Sequence, residues 1–274
     1  MFQIPRLSIV VALIMGAGFQ IGLAQSPSVA PDHSLTTRSY VQKGLPADDR
    51  EWSGDDYAQA ASVLKALAAN DSTHLPRYGS AASGGVFARI VSPENLKLVE
   101  METLPVHVRF AAAVSIMKNL NQIIIVYTSA STVSQMFDSE LVELFRYTLE
   151  ISRHMMLLGE KVIALVPTDA PDREVRLKGW EQMRRGVATI VSACFTALIE
   201  KKSFKLSDLA RLAKTLEGTL PAILPRLPPG TQQELPLRLQ RMIEQESDST
   251  LKEALEHIAV ALDKSKKVPR MVQN

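Results

Sequence analysis

Thirteen consecutive residues, VATIVSACFTALI (Val187–Ile199), carry no charge, and wound into a helix they are apolar on nearly every side. A helix of that kind cannot lie on a surface. It must be surrounded by other elements that bury it. The segment therefore predicts a helix at the centre of a multi-helix packing. Composition points the same way: aromatics are only 5% of a chain that is 46% hydrophobic, so Leu, Ala, Val, Ile and Met must fill the interior. That mix favours helices over sheets. The expected fold class is all-α, an irregular bundle of six to eight helices around one central apolar helix.

Helical spacing recurs along the chain. Ser53 is placed to cap a helix, with Asp56 three residues on in a capping-box arrangement. Tyr57, Ala60, Ala61, Leu64 and Leu67 then share one face. Ser92-Pro93-Glu94 reads as a second start. Pro105 opens a long segment whose run Ile123–Tyr127 reads as helix or strand, and continued helix is preferred because no partner strand is evident. From Asp138 an apolar stripe runs toward Gly159, read as the end of that helix; 162–166 is ambiguous between a last turn and an extended piece. A helix from Thr168 or Asp169, with Pro171 in its first turn, reads as the longest and reaches about Lys202, with Leu177, Trp180 and Met183 inward. Gly218 reads as the end of the next helix. The four prolines of TLPAILPRLPPG allow only a turn or two. Thr231 and Glu234 suggest another capping box, with Pro236 delaying the helix behind it. Leu251, Leu255, Ile258 and Leu262 mark the last helix.

The N-terminus sets the location. One positive charge at Arg6 precedes an apolar run (7–24) ending in Gly22-Leu23-Ala24, small residues where a signal peptidase cuts. Residues 1–24 are read as a signal peptide, 25–52 as a flexible leader, 53–263 as a single helical domain and 264–274 as a basic tail. The expectation is export to the periplasm or outside, with an uncleaved anchor as the alternative. Cys194 is the one cysteine, so no internal disulfide forms. It reads as a buried apolar residue.

With 31 basic against 29 acidic residues the chain lacks the concentrated positive charge of a nucleic-acid binder. No cofactor and no metal is expected. Two acid–histidine pairs, Glu150/His154 and Glu253/His257, share helix faces, but four ligands converge only if those helices pack together. His107 reads as partly buried. The remaining candidate is the stretch STHLPRYGSAASGGVF (72–87), long for a helix connection. The favoured reading is a structural connector folded onto the helices through the apolar pins Leu75, Tyr78, Val86, Phe87 and Ile90; as a recognition surface its candidate binding residues are His74, Arg77, Tyr78, Ser80 and Ser83. The favoured function is a non-enzymatic binding module whose partner is another envelope protein, with peripheral membrane contact through the tail possible in principle. The alternatives are a carrier of an apolar small molecule or lipid, and a serine hydrolase working through Ser80 or Ser83.

Overall fold

A computed structural model describes residues 44–46, 50–79, 85–134, 137–200 and 204–267. The segment read as a signal peptide (1–24), most of the segment read as a leader, Ser80, Ser83 and residues 268–274 lie outside them. The fold is an all-α multi-helix bundle without a strand among the described residues. Its elements are α1 (Gly54–Asp71), α2 (Val86–Ile90), α3 (Lys97–Glu100), α4 (Val106–Ser134), α5 (Asp138–Ala164), α6 (Arg173–Ile199), α7 (Leu206–Ile223), α8 (Pro229–Gln245) and α9 (Ser249–Lys267).

Helix α1 starts as its sequence dictates. Ser53 is extended, its hydroxyl accepts from the Asp56 N–H, and the Asp56 carboxylate accepts from the Ser53 N–H at 2.7 Å. Trp52, read as the end of the leader, is buried, and its N–H donates to Asn95 Oδ1 at 2.9 Å. Arg50 grips Asp56 through two hydrogen bonds.

The Ile123–Tyr127 run is helical, inside α4. At 29 residues α4 is the longest helix, not α6. Its stretch Val106–Ser131, of mean hydropathy 1.3, is long and apolar enough to cross a membrane by length and composition. In this fold its Ile116, Leu120, Ile123, Ile124 and Tyr127 are buried instead, between α1 and α5. The bundle is built around this helix. Val187–Ile199, expected at the centre, packs on α5, α7 and α8 through nine buried residues but keeps one stripe, Thr189, Ser192, Thr196 and Ile199, only partly covered, so it is not the central helix.

Two contacts fix the direction of α1 on α4. Asn119 donates to the Gly54 carbonyl (2.7 Å), and the Tyr127 hydroxyl donates to that of Pro76 (2.8 Å). The two helices therefore run parallel, and α2, α3 and their connections carry the chain back. At the start of the pair the backbones nearly touch: a Cβ on Gly54 would land on the Ser115 side chain.

Several punctuation marks in the sequence are overridden by packing. Gly159 does not end α5, which continues to Ala164; a Cβ there would strike the Trp180 ring, so this glycine serves a close helix crossing. Helix α7 passes Gly218 and contains Pro221, held by the fully buried Leu220 and Ile223 on either side. Helix α8 begins at Pro229, ahead of Thr231, without a side-chain cap, and contains Pro236; Leu235, Leu239, Met242 and Ile243 bury its inner face. The Thr231/Glu234 box is not used because the helix has already started. Helix α6 begins at Arg173, after turns closed by Ala170 N–H to Pro167 O and Arg173 N–H to Ala170 O, which leaves Pro171 outside it. Trp180 is partly buried and Met183 buried, but Leu177 is exposed. The 162–166 segment closes α5 and ends in a turn. The segment read as a basic tail is helical as far as Lys267.

Candidate functional site

The 72–79 stretch is held to the bundle residue by residue. Asp71 caps a single tight turn, Ser72–His74, by accepting from the Thr73 N–H at 2.9 Å. The same aspartate lies 3.7 Å from His74 Nδ1, and both side chains are half exposed. Leu75 is buried, and Tyr127 takes the next carbonyl. Then Glu140, at the start of α5, receives two donors on one oxygen: Arg77 Nε at 3.1 Å and the Tyr78 N–H at 2.7 Å. The Arg77 guanidinium also lies 4.6 Å over the Phe137 ring. Tyr78 meets the edge of Phe87 (centroids 6.0 Å), and its hydroxyl accepts from Arg211 at 2.7 Å.

Arg211 extends this into a network. It pairs with Asp208 (2.6 Å) and Glu143 (3.1 Å), and Glu143 also binds Arg146. Glu140, Glu143 and Asp208 are all buried, and three arginines balance them. Paired buried charges of this kind hold elements in one arrangement. The structure thus brings Arg77 and Tyr78 together on Glu140 and leaves His74 with Asp71. Glu140, Glu143, Asp208 and Arg211 carry no signal in the sequence that separates them from solvated helix-face charges. They become visible only once α5 and α7 are packed.

The two acid–histidine pairs are not brought together. Helix α9 packs on α7, and α7 on α5, so the pairs sit on helices with another between them. His257 and Glu253 are exposed. His154 is buried; Arg153 Nη2 lies 2.9 Å from its Nε2 and Glu100 Oε1 lies 3.2 Å from the same nitrogen. Burial first, and then the charge of Arg153, hold the His154 pKa down at about 4. His107 is exposed, not partly buried, at the rim of a shallow cleft shared with Val162, Leu165 and Pro167. Among the described residues no group of three His, Cys, Asp or Glu side chains is placed to hold a metal ion. Cys194 is fully buried, and burial pushes its thiol up to about 12. It is therefore not a nucleophile at neutral pH.

A different feature was not anticipated. Between α1 and α4 runs an open trough of about 650 Å³. Its floor is Ala61, Ala68, Ile125, Val126 and Ala130, and its edges carry Ser62, Lys65, Asn119, Gln122 and Ser129. The parallel pairing explains it: small side chains on both helices face outward beside the crossing and leave the seam unfilled. Its sequence signal is the set of alanines and serines at helical spacing in α1, which reads as ordinary helix surface until α4 lies alongside.

Compared with family models, curated proteins and solved structures, the chain matches none.

Proposed function

We propose that this protein is an exported, non-enzymatic helical binding module of the cell envelope, and that the trough between α1 and α4 is its binding face. The observation that carries the reading is the trough itself. At about 650 Å³ it falls within the range of roughly 300–1,000 Å³ usual for ligand clefts. It combines an apolar floor with a few polar groups at its edges, the composition that such clefts share. The 72–79 stretch is the weaker candidate face. Its Arg77 and Tyr78 serve Glu140 and Arg211, so a partner would have to compete with internal pairs. Export rests on the N-terminal pattern of residues 1–24.

Photoreactive residues placed at Ser62 and Gln122 test the assignment in cells that export the chain. Both positions are exposed, so the substitutions leave the core alone. Ultraviolet-dependent adducts are expected at these two positions and not at Glu256, which is exposed on α9. Adducts no more frequent in the trough than at Glu256 would overturn the reading.

A further inference from the structure

We infer that the occupant of the α1–α4 trough is a single-chain fatty carboxylate; this rests on the trough being the binding face. The shape is the first argument. The seam follows α1 from Ala58 to Ser72, which at 1.5 Å per residue is about 20 Å. It is open along its length and floored by Ala61, Ala68, Ile125, Val126 and Ala130, and Lys65 stands midway, with about 10 Å of seam on either side for an apolar tail.

Charge is the second argument. Among the described lining residues Lys65 is the one charged side chain, and no carboxylate lines the trough. A cation beside an apolar floor, with no acid to neutralise it there, complements an anionic head on an apolar tail. A lone ammonium is a point charge that suits a singly charged head. A phosphate of higher charge is normally met by arginine forks or by several cations, and the trough supplies neither. The amide of Asn119 is spent on the Gly54 and Ser115 carbonyls near the start of α1, so Lys65 is the charged group available to a head group.

Calorimetric titration of the purified, lipid-stripped full chain decides the matter. The probes are dodecanoate, dodecyltrimethylammonium and dodecyl maltoside, each below its micelle concentration. Dodecanoate is expected to bind at one site per chain, roughly tenfold tighter than the cationic probe. Shortening it to decanoate and octanoate is expected to weaken binding roughly threefold per methylene. Lys65→Gln removes the head-group preference and Lys65→Glu reverses it, with unfolding temperatures unchanged because Lys65 is exposed. Ala69→Trp, which fills the seam from an exposed position, abolishes binding of every probe. Equal affinities for the three heads would overturn the carboxylate while leaving the trough as the binding face. Binding that survives Ala69→Trp would overturn both. The adducts formed at Ser62 and Gln122 in cells supply the second arm: an adduct mass of a few hundred daltons supports the inference. A protein-sized adduct, or a cross-link to residues 1–43 of the same chain, would overturn it.

Discussion

Arg77 donates from Nε to Oε1 of Glu140 at 3.1 Å, joining a loop residue to a carboxylate that is only 2% exposed. The same oxygen takes the Tyr78 N–H, while Oε2 is buried without a hydrogen-bond partner. One carboxylate therefore fixes both the backbone and the side chain of the loop.

The pair predicts an order of effects. Arg77→Ala leaves a buried charge without its cation and is expected to cost about 2–3 kcal/mol. Glu140→Gln keeps the accepting oxygen and replaces the unpartnered one with an amide, so its cost is expected to be about 1 kcal/mol or less. Urea unfolding with matched slopes measures both, and the reverse order would show that the ion pair does not set the loop.

Close approach at the head of the α1–α4 pair gives a second expectation. Gly54→Ala drives a methyl group into Ser115, so either helix must move. A loss of about 3 kcal/mol is expected, at the upper end of overpacking costs. Ser115→Gly should restore part of it in the double variant, and simple additivity of the two changes would exclude a direct clash.

His154 makes stability depend on acidity. Its ring titrates near 6.5 when unfolded and near 4 when folded, so the unfolded chain binds the extra proton in between. Its stabilising contribution is complete above pH 6.5 and is lost as pH falls toward 4, by about 3 kcal/mol in all. Urea titrations from pH 7 to 4.5 on the natural chain and on His154→Leu isolate this part. The two pH curves should converge in slope above pH 6.5 and separate below it; parallel curves throughout would refute the assignment.

Cys194 should be silent toward Ellman's reagent in the native protein and react stoichiometrically in denaturant, because burial shields its sulfur and keeps it protonated. Prompt reaction of the folded protein would mean that α6 opens far more readily than its packing implies.

What the sequence made legible was local. The Ser53–Asp56 cap depends on four neighbouring residues and forms as written. The apolar character of Val187–Ile199 demanded burial, and the fold supplies it on every side but the stripe of Thr189, Ser192, Thr196 and Ile199. What stayed hidden depends on partners far along the chain. Gly159 looks like a terminator until Trp180 is laid across it. Pro221 and Pro236 look like breaks, yet buried aliphatic side chains on each side hold the helix through them. Glu140 resembles a surface acid until Arg77, sixty-three positions earlier, meets it. The trough belongs to neither of its helices alone, so no reading of α1 by itself reveals it.

The parallel docking of α1 on α4 also shapes how the chain acquires its structure. Antiparallel neighbours such as α4 and α5 can zip from a short connection, but α1 must wait for a mate whose first residue is thirty-five positions beyond its own last one. During synthesis its Leu64 and Leu67 emerge long before the helix that covers them, so this apolar face stays open until α4 follows.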